Sequence, residues 1–232
     1  MARVLTADET ARNREDIVAI TLWGRPTSSN VQKVRWALAE LGLDYEHVLV
    51  GGKYGGNKDS DYLAMNPNGL VPTLRDGELV LWESHAIVRY LAAQYGAGRL
   101  WPIDPVARAK CDQWVDWAVA EFQKGWIEVF WLLVRTPVSQ RNPAAIARAM
   151  AVTERCLAMM DAQLAKTRFL AGSSFTYGDI PAGVAMFRWT KMEIERQSHP
   201  NVERWHQELR ERPAYRDAVE VDYAELVGRL SF

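Results

Sequence analysis

The stretch 17–30, IVAITLWGRPTSSN, is the part of the sequence that decides the fold. Its first half is apolar or β-branched and leads into Gly-Arg-Pro, which is typical of a buried strand that ends in a loop. From Asn30 to Leu41 apolar side chains recur at helical spacing, and Gly42 ends the predicted helix. The segment 45–50 is a second predicted strand. A strand, a helix and a strand over about thirty residues predict parallel strands joined by a right-handed crossover.

The segment that follows predicts a loop, a hairpin and a helix. A glycine-rich loop at 51–57 leads to NPNGLVP at 66–72, whose prolines and glycine exclude a helix. Two short predicted strands flank Asp76-Gly77, a dipeptide suited to a tight turn in which both central residues have positive φ. A helix from about His85 to Tyr95 follows. The order β-α-β, long connection, β-β-α is the thioredoxin-like arrangement.

The pattern changes character near residue 100 and is helical from there to the end. The predicted helices are Pro105–Arg135, Asn142–Ala165, Asp179–Ile194 and Val202–Arg212. Before the third of these, the spacing from Thr176 to Asp179 suits a capping box, which is a folding signal rather than a chemical one. We therefore predict three segments: a polar tail at 1–16, a thioredoxin-like domain at 17–98 and an all-helical domain at 104–232.

Composition excludes several classes of protein. Of the 232 residues, 28 are Lys or Arg and 29 are Asp or Glu, so the chain lacks the basic excess of a nucleic-acid binder. No apolar run approaches the ~20 residues of a membrane span, and the tail at 1–16 lacks the apolar core of a secretory signal. Two cysteines and four scattered histidines favour neither a disulfide framework nor a metal site. We expect a cytoplasmic protein without nucleic-acid or membrane partners.

The junction GRPTSSN at 24–30 is a candidate anion site. Ligands of open α/β sheets lie beyond the carboxyl ends of strands, and a helix N-terminus offers unpaired N–H groups with a partial positive charge. Ser28, Ser29 and Asn30 are also good capping residues, so the alternative is that they only begin the helix.

A second set of residues indicates a peptide ligand. If the Val71-Pro72 bond is cis, the backbone of Val71 faces outward as a strand edge and can pair with an extended peptide. Glu83-Ser84 begins the next helix, where Ser84 can present its N–H and hydroxyl to a carboxylate. These features suit a small peptide with a free carboxylate, an α-amino group and a thiol near Ser28.

In combination these residues resemble a cytosolic glutathione S-transferase. The resemblance covers about Ile17 to Tyr215 and depends on TSSNV at 27–31, NPNGLVP at 66–72, Glu83-Ser84, the break near residue 100 and the pattern from Thr176 to Asp179. The sequence is most similar to bacterial enzymes with serine or threonine at the active position. The resemblance implies a thioredoxin-like glutathione-binding domain, an all-helical domain that completes the substrate site, a homodimer, and glutathione as co-substrate without a metal.

The resemblance also implies roles for single residues. Ser28 would donate to the glutathione sulfur, with Asn30 as a second candidate there. Val71 would pair with the cysteinyl part of glutathione, Pro72 would be the cis-proline, and Glu83 and Ser84 would hold the γ-glutamyl end.

Two departures from the family pattern affect these roles. Leu70 stands where many relatives have a polar residue, and the family's basic contact to the glycyl carboxylate has no clear match. Lys53 and Lys58 in the glycine-rich region are the candidates for that contact.

The electrophile would lie against the helical domain. Candidate aromatic walls are Trp114, Trp117 and Phe122, with Trp126, Phe130 and Trp131. Aromatic residues at helical spacing are also typical of an interdomain core. Arg108 and Arg135 are alternative determinants that would steer an anionic substrate such as a haloacid.

The function that the resemblance implies is a glutathione S-transferase that stabilises the bound thiolate for attack on a small hydrophobic or halogenated electrophile. Two alternatives remain open. One is a glutathione-dependent disulfide reductase or peroxidase, and the other is a non-catalytic glutathione-binding scaffold, because a fold does not fix a function.

Overall fold

The structure, a computed structural model, describes residues 20–231. The tail at 1–16 and the first part of the expected strand, residues 17–19, lie outside the described residues.

The sheet has four strands in the order β2-β1-β3-β4. The strands are β1 (Ile20–Trp23), β2 (Tyr45–Val48), β3 (Thr73–Asp76) and β4 (Leu79–Trp82). β1 pairs with β2 in parallel and with β3 antiparallel, and β3 pairs with β4 antiparallel. The predicted strand–helix–strand unit with parallel strands is therefore confirmed.

Two helices pack against each other beside this sheet, α1 (Ser29–Leu41) and α3 (Ser84–Tyr95). α1 ends at Gly42, whose φ of 67° lies in the left-handed region that glycine adopts without a steric cost. A short helix in the connection, α2 (Ser60–Met65), was not predicted. It is too short to show a helical period in the sequence.

The hairpin differs from the expected turn. Asp76 pairs with Leu79 in the ladder, so the two central residues are Gly77 and Glu78. Only Gly77 has positive φ, at 60°. The prediction of positive φ at both central residues of an Asp76-Gly77 turn was wrong, because the strand continues one residue further than the dipeptide suggested.

The second half of the described chain is helical, as predicted. Its helices are α4 (Pro105–Trp117), α5 (Gln123–Phe130), α6 (Pro143–Leu164), α7 (Ile180–Lys191), α8 (Pro200–Arg210) and α9 (Pro213–Val219). Wide π-helical turns at Ala118–Phe122 and Trp131–Arg135 follow α4 and α5, so the long helix expected from Pro105 to Arg135 is continuous but has more residues per turn at these two places. α9 was not predicted.

The capping box is present. The Asp179 carboxylate accepts the N–H of Thr176 at 3.1 Å, and the Thr176 hydroxyl accepts from the backbone of the same turn. Asp179 also accepts the N–H of Leu170 and the indole N–H of Trp205. Burial raises the pKa of Asp179 to about 6, and these donors oppose that rise.

The sheet half and the helical half pack through α1. The buried indole of Trp36 lies edge-on to Tyr215 at 4.8 Å and packs against Gly183 of α7. Glu40 forms a two-pronged ion pair with Arg212 at 2.6 Å. These contacts hold α1 against the helical half, and a cavity lies between the two halves near the N-terminus of α1.

Candidate active site

A cavity of about 470 Å³ lies where the N-terminus of α1 faces α5 and α7. From the sheet half it is lined by residues that include Ser28, Asn30, Val71, Pro72, Glu83 and Ser84. From the helical half it is lined by Ile127, Phe130, Trp131, Arg135, Arg188 and Leu226. Six residues that the sequence singled out at three separate places along the chain thus share one cavity.

Ser28 directly precedes α1 in extended conformation. Its N–H donates to the carbonyl of Arg25 at 3.0 Å, and its carbonyl accepts from Gln32 at 2.9 Å. The hydroxyl makes no capping bond to the backbone of α1. Ser28 and the first two residues of α1, Ser29 and Asn30, line the cavity, and a helix N-terminus favours an anion.

Asn30 is oriented by a buried lysine. The ammonium of Lys33 donates to Oδ1 of Asn30 at 3.0 Å and to Oε1 of Gln123 at 3.2 Å. Burial lowers the pKa of Lys33 to about 7, and nearby Glu83 opposes that change. Because Oδ1 is occupied by Lys33, the amide NH₂ of Asn30 is the group left to serve a ligand in the cavity.

The Val71-Pro72 bond is cis. Among the residues that the structure describes, neither the N–H nor the carbonyl of Val71 has a hydrogen-bond partner. The preceding carbonyl, Leu70, is held by the hydroxyl of Tyr62 at 2.6 Å and by Asn66 at 2.9 Å. The loop is therefore fixed from behind, while the backbone of Val71 remains available to an extended ligand.

Glu83 precedes α3 with φ of 71°, a left-handed value that costs a non-glycine residue of the order of 1–3 kcal/mol. It is the one non-glycine residue between 20 and 231 with positive φ. Ser84, the first residue of α3, is buried beside it and lines the cavity. Strain of this kind is typical of ligand-binding turns.

The two lysines considered for the glycyl carboxylate do not line the cavity. Lys53 forms an ion pair with Glu225 at 2.7 Å, which raises the pKa of Lys53. Lys58 lies near the carbonyl of Asn68 at 3.4 Å. Arg25, which the sequence analysis did not consider, lines the cavity and packs against Gly52 of the same glycine-rich loop.

The expected aromatic walls need a correction. Trp114 and Phe122 are buried in the core, and Trp117 stands edge-on to Trp114 at 5.1 Å and stacks on Phe122 at 5.8 Å. None of the three lines the cavity. Helical spacing predicts that residues share a face but not which neighbours the face meets, and the π turn at Ala118–Phe122 changes that face partway along the helix.

The residues that do face the cavity come one to three helical turns after Phe122 along the chain, and we call the surface they form the acceptor wall. It consists of Ile127, Phe130 and Trp131, with Leu226 from the C-terminal segment. Phe130 and Trp131 were among the aromatic candidates, whereas Trp126 is buried in the core.

Arg188 is a buried arginine that the sequence analysis missed. It lies on α7 directly after the apolar run IPAGVAMF at 180–187, is 4% exposed, and donates to the carbonyl of Thr27. Its guanidinium lies over the ring of Phe130 at 4.8 Å. Burial, together with the positive charges of Arg25 and Arg135, lowers the pKa of Arg188 to about 9. The sequence signal for Arg188 was a charged residue directly after a long apolar run within a predicted helix.

The two arginines considered from the sequence lie in different places. Arg135 lines the cavity, with its guanidinium 3.8 Å from the centre of the Trp131 ring and its Nε donating to the carbonyl of Arg229 at 2.7 Å. Arg108 lies outside the cavity, over the ring of Trp101 at 5.6 Å.

The C-terminal segment closes one side of the cavity. Glu225 accepts from the hydroxyl of Thr27 and pairs with Lys53. Burial raises the pKa of Glu225, but these contacts outweigh burial, so the pKa is lowered overall. The N–H of Gly228 donates to the carbonyl of Val134 at 2.8 Å.

Two classes of feature are absent from residues 20–231. No group of three or more His, Cys, Asp or Glu side chains is arranged to hold a metal ion. No helix in that range is long and apolar enough to cross a bilayer.

Two family models match the chain. One describes the glutathione S-transferase N-terminal domain and matches residues 18–93, and the other describes the glutathione S-transferase C-terminal domain and matches residues 143–208.

Named relatives agree with the models. Glutathione S-transferase GstB of Escherichia coli strain K12 is 47% identical over 202 residues, which cover 86% of this chain and 97% of that protein. Glutathione S-transferase 3 of Zea mays is 35% identical and covers 86% of this chain and 93% of that protein.

A solved structure agrees as well. The theta class glutathione S-transferase of Xanthomonas axonopodis pv. citri, with glutathione bound, superposes with a TM-score of 0.85 at 48% identity and covers 88% of this chain and 98% of that one. The fold, the family models and the relatives lead to one conclusion: the chain belongs to the glutathione S-transferase family.

Proposed function

We propose that this chain binds reduced glutathione along the sheet side of the cavity and joins it through its sulfur to a small electrophile held against the acceptor wall. The observation that carries the proposal is that Ser28, the open backbone of Val71 and the Glu83-Ser84 turn line one cavity. These are the groups needed for a thiol, an extended peptide backbone and an α-amino acid end, respectively. A relative bound to glutathione, the Xanthomonas enzyme, supports the choice of ligand.

Binding would use main-chain groups first. The cysteinyl residue of glutathione pairs with the N–H and carbonyl of Val71 as an added strand residue. The γ-glutamyl carboxylate lies at the N-terminus of α3, where Ser84 offers its N–H and hydroxyl, and the carboxylate of Glu83 accepts from the α-amino group. The thiol then lies next to Ser28.

Ser28 acts by stabilising charge. A thiol of pKa near 8.5 is only slightly ionised at neutral pH, and the thiolate is the nucleophile. Lowering that pKa by about two pH units requires about 2.7 kcal/mol. One hydrogen bond to an ion contributes ~1.5–3 kcal/mol and a helix N-terminus ~0.3–1 kcal/mol, so Ser28 and α1 together suffice without a general base.

In the reaction the thiolate attacks the electrophilic carbon, the C–S bond forms, and the leaving group departs with its electron pair. The thiol proton goes to solvent when the thiolate forms. Asn30, whose amide NH₂ is directed by Lys33, is placed to donate a second hydrogen bond to the sulfur.

The test is a paired assay on the purified protein. Calorimetric titration measures glutathione binding, and initial rates are measured with 1-chloro-2,4-dinitrobenzene and with a mixed disulfide of glutathione. Binding with conjugation of the chloronitrobenzene supports the proposal. Binding with disulfide reduction alone favours the reductase, binding with neither favours the scaffold, and no binding at millimolar glutathione contradicts all three.

Three expectations from the sequence accompany this proposal: domain limits at 17–98 and 104–232, a homodimer, and a cytoplasmic location. The break between α3 and α4 supports the first. Light scattering of the full chain measures the mass in solution, and a dimer of the 26.4 kDa chain is the expected result.

A further inference from the structure

The acceptor side of the cavity carries more positive charge than glutathione conjugation requires. Arg25, Arg135 and Arg188 all line it, together with the apolar acceptor wall. Arg135 and Arg188 are 6% and 4% exposed, so neither is a solvated surface arginine. Burying cations in one cavity is costly unless something compensates them.

Among residues 20–231, two carboxylates lie near this cluster, those of Glu225 and Glu83. Glu225 attracts Arg25 and pairs with Lys53, so the charge near the glycine-rich loop is balanced. Glu83 lies on the sheet side at the N-terminus of α3, where it faces Lys33.

Arg188 has no such partner. Within residues 20–231 no carboxylate forms an ion pair with it, and its buried Nε has no hydrogen-bond partner. The contact to the carbonyl of Thr27 occupies Nη2 and leaves Nε unpaired. An unpaired donor on a buried cation that borders a ligand cavity is a group that a ligand is expected to satisfy.

The neighbours of Arg188 define the shape of that ligand. Its guanidinium lies over Phe130, and the guanidinium of Arg135 lies over Trp131, so two cations stand on two aromatic rings of the acceptor wall. An apolar or aromatic body would pack against Ile127 and the rings, and a carboxylate would pair with the guanidinium of Arg188.

We propose that the electrophile carries a negative charge, a carboxylate bound by Arg188, and an apolar body held against the acceptor wall. This inference rests on the proposed transferase function and specifies its substrate class. In this reaction the glutathione thiolate forms a C–S bond at the carbon that bears the halide, and the halide leaves with its electron pair. The carboxylate is unchanged.

A pair of substrates that differ only in charge tests the proposal. kcat/KM is measured for 4-chloro-3-nitrobenzoate and for 4-chloro-3-nitrobenzamide, and each value is divided by the rate constant of the uncatalysed reaction with glutathione to remove intrinsic reactivity. We expect the corrected ratio of benzoate to benzamide to exceed about tenfold in the unaltered protein. Arg188→Met should lower that ratio by about tenfold, mainly through KM for the benzoate.

Two further variants separate charge from folding. Arg188→Lys keeps the positive charge and should retain most of the preference for the benzoate. Arg108→Met removes an arginine outside the cavity and should leave the ratio unchanged.

The outcomes distinguish the two proposals. Conjugation of both substrates at equal corrected rates, unaffected by Arg188→Met, overturns the anion site and leaves the transferase intact. If neither substrate is conjugated and 1-chloro-2,4-dinitrobenzene is not conjugated either, the transferase proposal fails, and calorimetry with 3-nitrobenzoate in the presence of glutathione still decides the site. Binding that Arg188→Met abolishes supports it, and equal binding of 3-nitrobenzoate and 3-nitrobenzamide contradicts it.

Discussion

Ser28 is the residue on which the proposed chemistry depends, and its substitution is the first prediction. Ser28→Ala removes the hydroxyl that donates to the sulfur but leaves the N-terminus of α1 and the backbone of Val71 in place. We expect kcat for conjugation to fall about tenfold or more, because a hydrogen bond to an ion contributes ~1.5–3 kcal/mol. Glutathione affinity should change little. Steady-state kinetics with calorimetry measure both quantities.

Ser28→Thr is the matched control, since it keeps a hydroxyl at the same position. It should retain most of the activity. Equal turnover in Ser28→Ala and the unaltered protein would remove Ser28 from the mechanism.

Lys33 gives a prediction for pH dependence. Burial lowers its pKa from 10.5 to about 7, so between these values the unfolded chain binds a proton that the folded chain does not. The free energy of unfolding therefore gains a term that rises with pH across this window, by at most about 1.4 kcal/mol per pH unit. Lys33→Met removes that term.

Urea unfolding at about pH 7, 8 and 9 measures this pH-dependent contribution to the free energy of unfolding. The stability of the unaltered protein relative to Lys33→Met should increase with pH. Lys124→Met, at an exposed lysine of α5, serves as the control and should follow the unaltered protein. A constant difference across the range would contradict the burial of a lysine with a lowered pKa.

The candidate residues on the sheet side could be predicted from the sequence because each lies at a feature that a short stretch of sequence defines. Ser28 is at a helix start, Val71 precedes a proline, and Glu83 precedes a helix, so their placement follows from short-range patterns. Arg188 is different: it meets Thr27 across 161 positions of the chain, and no local pattern predicts that contact.

At the scale of elements, the long helix from Pro105 to Arg135 shows where periodicity fails. The sequence predicted its extent, and the apolar face is real. The face meets the core at Trp114 and Phe122 but the cavity at Phe130 and Trp131. Two π turns and the packing of α6 and α7 decide that change, and neither is visible in the spacing of aromatic residues.

The start of α7 carries an element-scale prediction. Thr176→Val keeps the shape of the side chain and removes the acceptor of the capping box. We expect the free energy of unfolding to fall by about 1 kcal/mol, the usual contribution of an N-cap. Thr190→Val, at an exposed threonine near the end of the same helix, should cost less than about 0.5 kcal/mol. Equal losses in the two variants, measured by urea unfolding, would show that the cap contributes nothing of its own.

At the scale of the whole molecule, the active site exists only where the two halves meet. Trp36 and the Glu40–Arg212 ion pair hold α1 against the helical half, and the C-terminal segment joins both halves through Glu225. The sequence predicted two domains and a site between them. It did not predict the contact of Glu225 with Thr27 and Lys53, because those residues come from three distant parts of the chain.

Glu225→Gln tests that contact. Loss of the charge weakens the pair with Lys53, so amide exchange of Leu226 and Gly228 should accelerate. Glu208→Gln, which removes an ion pair with Arg168 on α8, should leave these amides unchanged. Unaltered exchange in Glu225→Gln would show that the segment is held by other contacts.

The central claim is that the bound thiol is an anion at the start of α1. Its most direct test is an ultraviolet titration of the glutathione complex with pH, in which thiolate absorbance reports ionisation of the bound sulfur. The account predicts that the bound thiol titrates about two pH units below the value near 8.5 of a free thiol. A bound thiol that titrates at the same pH as free glutathione would contradict it.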